Sequence, residues 1–533
     1  MPRAVVLAVS AALMTLLSAC GGAAGTGGTT TPGGPVVYDD AARVTAVGTL
    51  IGQDLDPYKA GGQVEGIIDV YDTLIRPAND LSLQPGLATE WAWSPDNLKL
   101  TLTLRSGVTF SDGTPFDSAA VVASLNRARS GETSTQKASL ASISDVAAEG
   151  ATKVVITVKQ PSPALLSVLA SPAGMVINPK LVGDDNAIRT GAGGLGTGPY
   201  TVERFQPTTQ IVLTKRADYW DAASIPHAPR TFTYLYGQDG NARLNGLKSG
   251  QYQAVQATGT PGLNGPGALS TTNKQFTTIR TPSFPMMSIV FAYTAPFDNP
   301  LVRQAVAHAI NFDALSPVLT DQMNCTSRRP VQLPQQGQVG FDPDAKPLAY
   351  DVDRAKQLLA QAGFPDGKGL PPITVTSSTA SNDIVAAQAF QAELAKIGMQ
   401  LSINSQPSRV FQVAQLTSGK AQMATLNATN GAGIDPSLGY NTGVLATPQY
   451  VDDSPAGRQY KDLISQAGVN PDSGARTKLY QQAESLATQN AFYIPFCQLN
   501  NGYATTAKLG GFNDNFWMKY IGALKVSALT VAK

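Results

Sequence analysis

Residues 87–127 read LATEWAWSPDNLKLTLTLRSGVTFSDGTPFDSAAVVASLNR. Leu98, Leu100, Leu102 and Leu104 alternate with Lys99, Thr101, Thr103 and Arg105, and this period of two predicts a half-buried strand. Trp91 and Trp93 lie across the turn formers Ser94-Pro95-Asp96-Asn97, so the two runs are expected to fold back as a hairpin or near-hairpin. Ser111-Asp112-Gly113 makes a second turn. Asp117 then stands where a helix needs its N-cap, ahead of Val121, Leu125 and Ala128 on one face.

In order, the stretch contains W-x-x-S-x-D from Trp91, L-R-x-G-V-x-F-x-D-G-x-P from Leu104, and V-x-x-S-L-N-R from Val121. This run resembles the signature of extracytoplasmic solute-binding proteins of the peptide/nickel type, family 5, which deliver ligands to ABC importers. Roughly a dozen matched positions in sequence make the resemblance specific, where a lone Trp or Asp-Gly would not be. It implies an α/β, two-lobed periplasmic-binding-protein-like fold, type II and of the large peptide-binding class, with an extra subdomain in the first lobe. The stretch marks the fold and need not touch ligand.

At 533 residues, 43% hydrophobic and 14% charged, the chain is too long for one core and calls for two or three domains or lobes. The net charge of +1 and the lack of a basic run leave no nucleic-acid footprint. Arg3, the apolar run 4–17 and Leu17-Ser18-Ala19-Cys20 read as a signal peptide over residues 1–19 ending in a lipobox, with Cys20 as the lipidated residue. Residues 20–35 follow as a Gly/Thr/Pro tether with almost nothing to bury. An extracytoplasmic location follows, lipid-anchored to the bacterial cell membrane. Cys325 and Cys497 would then lie in an oxidising compartment, where a disulfide between them is open.

Further along, the run A-A-R-V-T-A-V-G ending at Gly48 reads as a first strand, residues 64–74 as a helix and Lys153 to Lys159 as a strand, with a short helix over 164–169. Gly191, Gly193 and Gly196 have the spacing of a dinucleotide fingerprint but lack the strand before and the helix after, so nucleotide binding is not inferred. Gly196-Thr-Gly-Pro-Tyr200 and Asp218-Tyr-Trp220 are instead similar to structural corners of the family. Phe284 to Tyr293 reads as a strand, and Asp298 or Asn299 caps a helix lined by Leu301, Val302, Ala305, Val306, Ala309 and Ile310. Three further helices are expected: one capped by Asp351 and ended by Gly363, one lined by Ile384 to Ile397, and one lined by Leu479, Ala483 and Leu486. By resemblance the chain enters the second lobe near 280–290 and returns at Pro495-Phe496. The expected division is lobe I over 36–285, lobe II over 286–492 and a return to lobe I over 493–533.

His227 and His308 stand without a second ligand at metal or triad spacing, and H-E-x-x-H, C-x-x-C, P-loop and G-x-S-x-G motifs are missing. No catalytic residue, cofactor or metal is assigned, and two histidines offer little imidazole to nickel. The resemblance implies a non-enzymatic receptor that encloses a solute between lobes, most simply an oligopeptide or peptide-like compound. Its expected partners are ABC permease subunits and the membrane through its lipid; nucleic acid is not among them, and it acts as a monomer. Tyr58, Phe284, Met286, Met287, Thr429, Asn430, Gly431 and Asp435 are the positions that resemblance puts at the cleft. Thr429 to Pro436 departs from the family's W-x-x-D-Y-x-[DE]-P, with Ala432 where an amine-binding acid is expected. A neutral, blocked or carbohydrate-like solute is therefore the competing reading, followed by a sensory or scaffold lipoprotein and a secreted hydrolase.

Overall fold

The computed structural model describes residues 36–48, 54–59, 65–257, 269–326, 329–378, 383–407, 409–427, 434–442, 451, 453–512 and 516–533. The decisive stretch forms the hairpin. Ala88–Trp93 pairs antiparallel with Lys99–Leu104, placing Trp91 opposite Leu102 and Trp93 opposite Leu100. The even-numbered leucines point into the core while the intervening threonines are half-buried. Lys153–Val158 and Ile143–Ala148 extend this into a four-stranded antiparallel sheet. The helix Ser118–Ser130 follows, its first turn satisfied by Asp117, whose Oδ1 accepts from the Ala120 N–H at 3.0 Å.

A ten-stranded sheet runs through both lobes in the order Leu401–Gln406, Ile373–Ser378, Met423–Asn427, Phe276–Phe291, Tyr493–Thr506, Ala254–Gln256, Arg43–Val47, Thr231–Leu235, Gln210–Lys215, Tyr200–Gln206. The two long strands at its centre, Phe276–Phe291 and Tyr493–Thr506, pair antiparallel over almost their whole length and carry the chain from lobe to lobe. Their ladder slips between Pro282 and Met286 and again between Met287 and Ser288. Prolines at 282 and 285 have no N–H to donate, so regular pairing breaks there. The first of these strands starts at Phe276, ahead of the expected Phe284, because Thr277, Thr281 and Pro282 dilute the apolar pattern that marks its second half.

Among the described residues a large apolar core lies under the first-lobe strands and the hairpin subdomain, with a smaller one around Val47, Leu247, Tyr252 and Val255; the second lobe buries two, one around Ile289, Phe291, Phe390 and Phe496 and one around Val290, Tyr460 and Phe492. Asn299 caps the helix Pro300–Ala309 by accepting from the Leu301 N–H at 2.9 Å, and Asp351 caps Val352–Gln361 by accepting from the Arg354 N–H at 2.8 Å. Ile384–Ala395 and Ser473–Gln489 complete the expected helices.

The helix expected over 64–74 is only Ile67–Val70. Tyr71 turns extended, Thr73 bridges to Met175, and the Thr73 carbonyl accepts from the Leu87 N–H, so tertiary backbone bonds override the local pattern. The glycine run at 191–198 is a packing device. Gly191 ends a short helix at φ +84°, and a Cβ on Gly196 would lie 2.3 Å from the Val70 carbonyl oxygen. The Asp218-Tyr219-Trp220 corner is tied to Asp72, which accepts from Tyr219 Oη at 3.1 Å and Trp220 Nε1 at 2.8 Å. Among the described residues no helix is long and apolar enough to cross a membrane.

Candidate ligand-binding site

Where the long strands break register, a cavity of about 450 Å³ opens. Its floor is Phe284, Met286 and Gln498; Asn79, Leu81 and Lys519 approach from the first lobe, and the segment from Arg329 to Gln336, with Asp342, from the second. The volume lies in the range of small-molecule pockets. Side chains alternate along a strand, so Phe284 and Met286 share the cavity face. Met287 faces the other way. It is 2% exposed, pairs across from Cys497 and packs in the second-lobe core, which corrects its expected place at the cleft.

The floor is organised by glutamine amides. Gln498 Nε2 donates to the Ser283 carbonyl at 3.0 Å and to Gln335 Oε1 at 2.5 Å, while Gln335 Nε2 donates to the Phe284 carbonyl at 2.7 Å. These bonds engage the Ser283 and Phe284 carbonyls at the point where the ladder is interrupted. Gln332 closes the wall, its Nε2 donating to the Asp342 carbonyl at 2.6 Å and its Oε1 accepting from the Asp342 N–H at 3.1 Å.

Two cations line the space. Arg329 donates through Nε to the Pro495 carbonyl at 3.1 Å, and its guanidinium carbon lies 3.6 Å from the Phe312 ring centroid. Burial pulls its pKa down to about 10, which means that the charge is held where water solvates it poorly. Lys519 donates to the Asn79 carbonyl at 3.1 Å. The acid of the lining, Asp342, accepts from the Asp344 N–H at 2.9 Å.

Two other expected contacts belong to the scaffold. Tyr58 is 1% exposed in the first-lobe core, and its hydroxyl donates to the Met175 carbonyl at 2.5 Å, so it is corrected from cleft to core. Asp435 is buried in a bidentate pair with Arg476 Nη2, at 2.8 and 2.9 Å, and accepts from the Ser437 N–H; its carboxylate is already used. Thr429, Asn430, Gly431 and Ala432 lie outside the described residues, as does Cys20. Cys325 and Cys497 are joined as a disulfide with Cα atoms 5.4 Å apart, next to the floor at Gln498 and the wall that begins at Arg329.

Sequence reasoning passed over Arg329, Gln335, Gln498 and Lys519. The signal available was the proline-spaced, glutamine-rich run Pro330 to Gln338, too polar to be core and too constrained to be linker. Lys519 and Gln498 had none, since only tertiary folding brings them to one cavity.

The family model for bacterial extracellular solute-binding proteins, family 5, middle region, matches residues 82–450. Over 487 residues the chain is 29% identical to the glutathione-binding protein GsiB of Escherichia coli O1:K1, covering 88% of this chain and 91% of that one. Its fold matches NikA from Brucella suis with TM-score 0.76 at 21% identity, covering 92% of this chain and 100% of the other. It matches the Escherichia coli murein tripeptide binding protein MppA with TM-score 0.73 at 21% identity, covering 93% and 100%. The two-lobed α/β architecture, the hairpin signature and the extent of the family match agree: the chain belongs to the bacterial extracellular solute-binding proteins of family 5, the solute receptors of ABC importers.

Proposed function

We propose that the chain is a lipid-anchored extracytoplasmic receptor that captures a short peptide or peptide-like solute between its lobes and passes it to an ABC permease. The observation that carries this reading is the cavity of about 450 Å³, walled from both lobes and floored by the crossing strands. A ligand that touches both walls can favour the closed arrangement, because closure adds contacts that the open form lacks. The floor presents amide groups rather than an acid–base pair, which suits recognition of a peptide backbone. Relatives named for glutathione and murein tripeptide point to the same class of solute.

In this reading residues 36–285 and 493–533 form the first lobe and 286–492 the second, and the receptor acts as a monomer without catalysis. Cys20 carries the lipid, and residues 21–35, with seven glycines, four threonines and two prolines, give the body reach above the membrane. The test is native mass spectrometry of the full-length protein released from detergent, followed by identification of the expelled solute. A ladder of short peptides is the expected result; a single sugar, or turnover of the bound compound, overturns the peptide-receptor reading. Cys20→Ala should move the protein from the membrane to the soluble extracytoplasmic fraction, and retention at the membrane would refute the anchor.

A further inference from the structure

We infer that the cleft is built for an acidic peptide-like solute with two carboxylates and one ammonium, Arg329 and Lys519 taking the carboxylates and Asp342 the ammonium. The inference rests on the receptor reading above and adds the charge of the solute. Arg329 and Lys519 come from opposite lobes, yet both line the same cavity. Each donates to a backbone carbonyl at 3.1 Å, Arg329 to Pro495 and Lys519 to Asn79, and among the described residues neither forms an ion pair. Asp313 attracts Arg329 and Asp80 attracts Lys519 through space, but neither makes an ion pair with it among the described residues, and Asp80 accepts from the Ser82 N–H and hydroxyl.

A cation held at a poorly solvated site without a carboxylate in contact costs free energy, and an incoming carboxylate recovers part of it. Arg329 is already ordered over Phe312, so little rotamer freedom is lost when it pairs. Its planar fork suits bidentate pairing with a carboxylate, while Lys519 supplies a point charge from the facing lobe. Asp342 is fixed through both of its backbone groups by Gln332 and lines the cavity without an ion pair among the described residues. Two cations against one acid complement a solute of net charge −1. Gln498 has donated its amide N–H groups to Ser283 and Gln335, leaving Oε1 to accept a peptide N–H. A solute bridging Arg329 and Lys519 would also tie lobe to lobe, so the charge that gives specificity also drives closure.

The test is calorimetric titration of the full-length protein in detergent with five probes: glutathione, Ala-Glu-Ala, Ala-Gln-Ala amide, iminodiacetate as a non-peptide amine diacid, and maltotriose. Glutathione and Ala-Glu-Ala should bind at least ~30-fold more tightly than the amide, the low end of what a desolvated charge pair contributes. Arg329→Gln and Lys519→Gln should each remove most of that ratio, and Arg329→Lys should keep part of it. Unchanged circular dichroism and melting temperature report that each variant is folded. An amide bound as tightly as the acids, or an Arg329→Gln variant with the ratio intact, overturns the charge assignment and leaves a peptide receptor standing. Iminodiacetate binding that depends on Arg329, with no peptide bound, upholds the charge assignment and overturns the peptide reading. Binding of maltotriose alone, or of no acid in the panel, overturns the assignment.

Discussion

Replacing Asp435 by alanine should destabilise the second lobe without touching ligand affinity. Asp435 and Arg476 have side chains only 5% exposed, and two oxygens of one meet a single nitrogen of the other at 2.8 and 2.9 Å. Arg476 is further held through Nε by the Ala467 carbonyl at 3.0 Å and lies 5.8 Å from the Tyr480 ring, which itself stacks on Tyr440. Removing the acid strands a buried guanidinium, and breaking a buried pair from one side costs about 3–5 kcal/mol. With an unfolding entropy of roughly 2.1 cal/mol/K per residue, a chain of 533 residues melting as one unit would lose about 3–5 K in Tm. If the second lobe melts by itself, its smaller entropy makes the drop about two and a half times as large. The double variant Asp435→Leu, Arg476→Met removes both charges and should recover most of the loss, because an apolar pair of similar volume is often neutral against a buried ion pair. Differential scanning calorimetry gives the melting temperatures, and titration with the co-purified solute gives the affinity. A D435A variant that keeps its Tm but loses the solute would put Asp435 back at the ligand and refute the reasoning.

Glu65 gives a pH signature. Its carboxyl is buried with no donor on Oε1, and burial raises it from 4.5 to about 7. The folded chain therefore binds this proton more tightly than the unfolded chain, so its contribution is fully present below about pH 4.5 and lost as pH rises through about 7. Glu65→Gln should remove that part of the decline, read as the difference in urea midpoint between about pH 5 and about pH 8; equal declines in both proteins would show that Glu65 is solvated. Serine at both Cys325 and Cys497 opens a link across a sequence separation of 172, and chain entropy predicts a loss of about 5 kcal/mol. An unchanged urea midpoint, or two titratable thiols in the oxidised wild type, would overturn it. Asp117→Ala removes the cap bond to Ala120 and should cost about 1 kcal/mol by the same assay; no loss would mean that water caps the helix as well.

What the sequence determined by itself is local. The Leu98–Leu104 alternation, the turn at Ser94–Asn97 and the cap at Asp117 each encode their structure within a few residues, because strand period, turn chemistry and capping are short-range effects. Asn299 and Asp351 were legible for the same reason. The family resemblance added the lobes, since an ordered series of such local signals is rarely shared by different folds.

The site was decided by tertiary structure. Phe284 and Met286 were legible as residues of a crossing strand, yet which neighbour turned inward depended on a register slip after Pro282 that no periodicity shows. Tyr58 and Asp435 sit in stretches that resemble the family's cleft, but Met175 and Arg476, remote in sequence, claim their polar atoms. Lys519, Asn79, Arg329 and Gln498 meet in one cavity across hundreds of residues of chain. A polar side chain in sequence is only a donor or an acceptor; whether it serves the scaffold or a ligand depends on whether folding brings it a partner, and that is a property of the whole molecule.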